Sequence, residues 1–242
     1  MKHQGPIAGI ATHGHWVATA GYDNKVILWD HQTRKALARG VHDHLVNNCA
    51  FSSDGKWLVT ASSDYSARLW ALPSMRLHSV MSDHKDDVDM AVFSPDDQMI
   101  ATCALDRLVR VFDLNGQCLM SFQGHTGNVL SLAWTQNAEY IYSTSVDGTI
   151  RKWDISNGQC AQITDLHVRT DSLEIAPNGT IYAGDDFGRI CIIKGEQIDF
   201  VSAHKAGIKK IVLNATTGML VCLSYDRTMS VWDISSQMMP VE

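Results

Sequence analysis

Positive charge is in short supply in this sequence. Its 20 lysines and arginines face 26 aspartates and glutamates, leaving a formal net charge of −6. A main partner made of nucleic acid calls for a basic surface that neutralises phosphates, so the balance argues against one. Long apolar runs are missing too. No stretch approaches the roughly 20 residues that span a bilayer, and the amino-terminal MKHQGPIAGIATHGHW lacks the apolar segment of a signal peptide. The six cysteines, at 49, 103, 118, 160, 191 and 222, contain no Cys-x-x-C and mostly fall in strand-like runs. They read as buried, reduced thiols of a cytoplasmic protein, not as a redox or metal set. No GxxxxGK[ST], HExxH or GxSxG motif occurs. His13, His15, His42 and His44 invite a metal reading, but a zinc site needs three or four converging ligands. The sequence therefore predicts no metal, no cofactor and no enzyme.

What the chain does have is a recurring unit, clearest in GHTGNVLSLAWTQNAEYIYSTSVDGTIRKWD, residues 124–154. Apolar strand-like runs alternate with turn signals such as Asp147-Gly148, the mark of an antiparallel meander. The anchor Trp153 has equivalents at Trp29, Trp70, Phe112, Ile193 and Trp232, at spacings of 41, 42, 41, 40 and 39 residues. A histidine stands 28 residues before four anchors (His42, His84, His125, His204), and His3 stands 26 before the first. An aspartate lies six before five of them (Asp23, Asp64, Asp106, Asp147, Asp226). Four residues earlier comes a hydroxyl: Thr19, Thr60, Thr102 and Ser143, with Cys222 in the sixth unit. Six units, about 1–40, 41–82, 83–123, 124–163, 164–202 and 203–242, fill a single domain over residues 1–242.

In these residues the whole chain resembles the WD-repeat family. The resemblance implies an all-β fold, a β-propeller of six four-stranded antiparallel blades. It also implies that histidine, hydroxyl, aspartate and indole form a hydrogen-bonded tetrad within a blade: His3, Thr19, Asp23, Trp29; His42, Thr60, Asp64, Trp70; His125, Ser143, Asp147, Trp153. The third unit keeps His84, Thr102 and Asp106 but has Phe112, which carries no N–H. The sixth keeps His204, Asp226 and Trp232. The fifth has Phe187 at the aspartate position and Ile193 at the anchor, and is expected to hold by apolar packing alone. Because the set recurs, it reads as structure and not as a catalytic triad.

Both chain ends fall at unit boundaries. The expectation is six blades that close by face packing or leave the ring incomplete, without an amino-terminal strand beside SQMMPVE.

In the family, residues three and five after the histidine and the residue before the turn aspartate point at the central opening on the narrow face. Carried over, these are Pro6, Ala8 and Tyr22; Leu45, Asn47 and Ser63; Asp87, Asp89 and Leu105; Asn128, Leu130 and Val146; Arg169, Asp171 and Asp186; and Gly207, Lys209 and Tyr225. Apolar anchors beside acidic groups suit an interface. The resemblance thus implies a non-catalytic scaffold or sensor that binds a protein or peptide of basic character on the narrow face, within a multi-protein complex and away from membranes. One alternative is the sensing part of a signalling assembly with a nucleotide-hydrolysing partner. Others are docking at the Asn115-Gly116 and Asn157-Gly158 loops, or an enzyme using the central channel.

Overall fold

The structure is a computed structural model that describes residues 1–234 and 239–240. It divides into two compact units, Met1–Gly124 and His125–Glu242. Every regular element among the described residues is a strand, and the strands form six four-stranded antiparallel sheets. Each sheet is a β-propeller blade built from four consecutive strands, three blades to a unit. The first blade runs Ile7–His13, Trp16–Gly21, Lys25–Asp30 and Lys35–Val41. The last runs Ile208–Asn214, Met219–Ser224, Met229–Asp233 and Met239–Pro240. Its outer strand pairs Trp232 with Pro240 and Asp233 with Met239. Among the described residues no strand is exchanged between sheets; residues 236–238 and 241–242 of the terminal SQMMPVE lie outside them.

Burial explains why the sequence shows so little period-two alternation. The second and third strands of a blade are covered on both faces: Trp57–Ser62 is buried from Leu58 onward, and Val109–Asp113 is buried up to Phe112. Such strands read as continuous apolar runs. Outer strands are half exposed and alternate, as Lys35–Val41 does. In the amino-terminal unit one core joins the first and second blades through Val26, Leu28, Val46, Leu58 and Trp70, and another joins the second and third through Val59, Leu69, Val88, Ile100 and Phe112. In the other unit Ile150, Leu173, Ala183 and Ile193 fill one wedge, and Ile190, Ile208, Leu220 and Trp232 the next. Asp97 adds a polar clasp between the second and third blades. Its carboxylate accepts from Ser53 N, Ser53 Oγ and Asp54 N at 2.9, 2.6 and 3.2 Å.

The two Asn-Gly hairpins look alike in sequence and differ in surroundings. Gly116 and Gly158 both have positive φ, 87° and 72°. A Cβ on Gly116 would lie 2.7 Å from the Val80 carbonyl oxygen, whereas one on Gly158 would meet nothing within 4 Å. Gly158→Ala should therefore cost only the left-handed penalty, about 1–2 kcal/mol. Gly116→Ala should cost clearly more, and denaturant midpoints of the two variants measure the difference.

Candidate functional site

The polar chain inside each blade fixes the frame of the site. In the first, second and fourth blades the indole Nε1 donates to the hydroxyl at 2.7, 2.9 and 2.8 Å. The same hydroxyl lies 2.8, 2.7 and 2.8 Å from the histidine Nε2. Histidine Nδ1 lies 2.8, 2.8 and 2.9 Å from the aspartate. One direction of donation satisfies every partner: indole to hydroxyl, hydroxyl to Nε2, Nδ1–H to carboxylate. That assignment needs a neutral imidazole. Burial pushes His42, His84 and His125 below the ordinary 6.5 more than their aspartates pull them up. Burial also pushes Asp64, Asp106 and Asp147 upward, but hydrogen bonds from the histidine and from neighbouring hydroxyls, amides or a guanidinium outweigh it and hold them well below the usual carboxylate range. Asp23 is held at about 2 in the same way.

Three blades depart from the scheme in ways the sequence only hints at. In the third, Phe112 is fully buried and gives no hydrogen bond, and Arg110 Nη1 donates to Asp106 at 2.8 Å beside the His84 ring and the Lys85 and Leu108 amides. In the sixth, Cys222 sits at the hydroxyl position, yet indole and histidine are joined through Ser230 on the paired strand, while His204 Nδ1 meets Thr228 Oγ1 at 2.9 Å with Asp226 3.3 Å away. His204 Nε2 and Trp232 Nε1 both lie 2.8 Å from Ser230 Oγ, and Ser230 stands directly opposite Cys222 in the ladder. The fifth blade corrects the expectation of apolar packing alone. Asp185, two residues before Phe187, is fully buried and accepts from the Phe187 and Arg189 amides and from Arg189 Nε at 2.9, 2.8 and 2.7 Å. A readable signal existed: Asp64/Arg68, Asp106/Arg110, Asp147/Arg151 and Asp185/Arg189 share one four-residue spacing.

The candidate rim is built by two backbone features that recur in all six blades. The first strand carries a one-residue bulge, and the residue it leaves out of the ladder is Ala8, Asn47, Asp89, Leu130, Asp171 or Lys209. A bulge bends the strand and re-aims that side chain. Two residues earlier a carbonyl accepts from the amide before the turn: Tyr22 to Pro6, Ser63 to Leu45, Leu105 to Asp87, Val146 to Asn128, Asp186 to Arg169 and Tyr225 to Gly207, at 2.8–3.1 Å. All three positions of each trio are thereby gathered at one end of their blade, including the trio of the fifth blade.

Their side chains differ in availability. Tyr22, Val146 and Tyr225 are exposed, as are Asp186 and Lys209. Leu45, Asp87, Asp89, Leu105, Asn128 and Leu130 are half-buried. Asn47 Nδ2 donates to Ser63 Oγ and the Val88 carbonyl at 3.1 and 3.0 Å, which ties the second blade to the third. Asp171 corrects an expectation. The resemblance places it among the acidic groups facing a basic partner, but its side chain is 1% exposed. Arg169 Nε and Nη2 donate to it at 2.6 and 3.2 Å, Tyr225 Oη donates at 2.9 Å, and Lys209 Nζ lies 3.6 Å away. Asp171 is an internal anchor that orients two cations and a phenol across the fifth and sixth blades. Burial pushes the neighbouring Asp186 carboxyl up, against the pull of Arg169.

No group of three or more histidine, cysteine, aspartate or glutamate side chains converges as metal ligands among the described residues. None of the six cysteines forms a disulfide. Burial pushes the thiols of Cys49, Cys191 and Cys222 to about 12, which keeps them protonated and unreactive.

Six meander blades and recurring histidine–hydroxyl–aspartate chains define the class, and comparison with known proteins agrees. The family profile described as WD domain, G-beta repeat matches residues 2–30, 37–71, 75–113, 116–154 and 195–233. The chain belongs to the WD-repeat family. The unmatched interval covers most of the fifth blade. Similar proteins include periodic tryptophan protein 2 of Arabidopsis thaliana, 27% identical over 81% of this chain and 23% of that protein. The nuclear distribution protein PAC1 of Arthroderma benhamiae is 27% identical over 67% and 41%. The transcriptional corepressor LEUNIG_HOMOLOG of Arabidopsis thaliana is 21% identical over 90% and 34%. The chain thus spans between about a quarter and two fifths of the length of these relatives.

His125→Ala should destabilise the fold by about 1–3 kcal/mol by stranding Asp147 and the Ser143–Trp153 pair; a urea midpoint unchanged from wild type would count against the tetrad. Ser230→Ala should have a comparable effect in the sixth blade. The pH dependence has one sign. The unfolded chain binds protons that the folded tetrads refuse, so stability is full near neutrality and falls as pH drops. The loss begins near the ordinary histidine value of 6.5 and steepens below the aspartate value of 3.8. Thermal melts between pH 7.5 and 3 would show it.

Proposed function

We propose that this chain is a non-catalytic interaction module that holds a protein or peptide partner on the bulge end of its blades. The observation that carries the reading is the repeated presentation of three positions per blade by a bulge and a backbone hydrogen bond, with Tyr22, Val146 and Tyr225 exposed there. Exposed aromatic residues on a rigid frame are the side chains that dominate binding energy in interfaces. The names of relatives are consistent with such a role: a CCR4-associated factor homolog, nuclear distribution proteins and a transcriptional corepressor.

The partner segment carries basic character toward the third blade. Asp86 and Asp87 stand there, with the Asp86 carboxylate capping the Asp87 amide at 2.9 Å. Asp171 does not contribute to this attraction, being internally neutralised. The module works within a multi-protein complex, and the greater length of the matched relatives supports its being one part of a larger assembly. Six cysteines without a disulfide suit a reducing, cytoplasmic setting.

Tyr22→Ala should weaken binding of the natural partner by more than about 1 kcal/mol while leaving the melting temperature nearly unchanged. Asp87→Asn should slow association and flatten its dependence on salt. Isothermal titration and stopped-flow measurements with a partner recovered from the native host test both. Unchanged affinity for Tyr22→Ala and Tyr225→Ala, together with loss of binding on changes at Asn115 or Asn157, would move the interface to the hairpin loops.

A further inference from the structure

The fifth blade uses its deviation from the repeat in a way that the fold does not require. At the turn position where the other five blades place an aspartate side chain exposed by 6–15%, it places Phe187, 67% exposed. The turn itself asks nothing of that side chain. Asp185 accepts the Phe187 amide, and Gly188 supplies the positive φ of 78°. Phe200 on the outer strand is also exposed, by 43%. Between the two rings lies Arg189, its guanidinium carbon 5.2 Å from the Phe187 centroid and 4.4 Å from the Phe200 centroid.

Arg189 is held from behind. Its Nε donates to the fully buried Asp185 carboxylate at 2.7 Å. Among the described residues its Nη1 and Nη2 make no hydrogen bond, and a third of the side chain is open to solvent. A guanidinium fixed at one edge and flanked by two aromatic rings has lost most of its rotamer freedom before any ligand arrives. Its open edge presents two parallel N–H donors, the arrangement that matches a carboxylate in bidentate fashion. The exposed rings beside it can take an apolar neighbour and exclude water from the ion pair, which is how arginine and aromatic residues act in interfaces.

We propose that Phe187, Arg189 and Phe200 form a docking point for a protein segment that presents an acidic side chain next to an apolar one. The carboxylate receives the Nη1 and Nη2 hydrogen bonds of Arg189, and the apolar side chain lies on Phe187. This surface begins at the residue after the bulge-end position Asp186, but it uses none of the bulge-end side chains and does not rest on the function proposed for them.

Three fluorescein-labelled octapeptides, of alternating Leu and Glu, Leu and Gln, or Leu and Lys, would be titrated with the full chain and followed by anisotropy. The Leu–Glu peptide should bind saturably and the other two far more weakly. Phe187→Ala removes an exposed ring and should leave the fold intact while weakening that binding about tenfold or more. Arg189→Lys keeps a cation for Asp185 but loses the bidentate edge, and should weaken binding similarly in the fraction that a parallel thermal melt shows to be folded. Tyr22→Ala should not change it. Equal binding of the Leu–Gln peptide, or wild-type affinity in both Phe187→Ala and Phe200→Ala, would overturn the proposal. So would the absence of saturable Leu–Glu binding up to about 1 mM. Light scattering separates one further outcome. A mass above 26.8 kDa that Phe187→Ala abolishes would mean that a second copy covers this face, and the acidic segment would be rejected.

Discussion

A buried carboxylate at a tight turn is the constraint on which each blade depends. Asp23, Asp64, Asp106, Asp147 and Asp226 each accept the amide of the residue after the blade's histidine, at 2.8–3.1 Å. In all five of these blades the aspartate also accepts an amide two residues into its own turn. One side chain thereby closes the turn and fixes the chain that enters from the preceding blade. An ionised group in that position is tolerable only when its hydrogen bonds are saturated. The histidine, hydroxyl and indole follow from this, since each supplies or relays a donor toward the carboxylate.

The same demand explains the substitutions. Where Phe112 removes the indole, Thr102 keeps its bond to His84 and Asp106 stays saturated by the ring, two amides and Arg110. When Cys222 removes the hydroxyl, Ser230 supplies it across the ladder. When Phe187 removes the aspartate, Asp185 takes its place two residues earlier and brings Arg189 with it. What is retained is the satisfied buried acceptor, not any particular residue. A sequence profile scores residues at positions, so it passes over most of the fifth blade although a saturated buried carboxylate closes its turn.

This also sets what could be read from the sequence. Blade number, anchors and three complete tetrads were legible because they repeat with fixed spacing. The trio at the bulge end of each blade was reachable through family resemblance, and the bulge gives it a physical cause. Ser230 was not legible, because its role depends on strand pairing opposite Cys222, which no linear spacing encodes. Asp171 was misread because charge in a sequence carries no information about burial. A carboxylate between Arg169, Lys209 and Tyr225 is a fastener, and the same letter on an open rim would have been a lure.

The bulge has a consequence for how this surface can change. A residue left out of the ladder contributes no paired backbone position and little to the wedge cores, so strand pairing sets few demands on its side chain. The six bulge residues here are alanine, asparagine, two aspartates, leucine and lysine, a range of chemistry carried by one backbone geometry. Where such a residue has not been recruited into an internal bond, as Ala8 has not, a single substitution can alter what the surface recognises while the blade beneath folds as before. Adaptability is thereby confined to a few addressable points, and the tetrads hold the remainder constant.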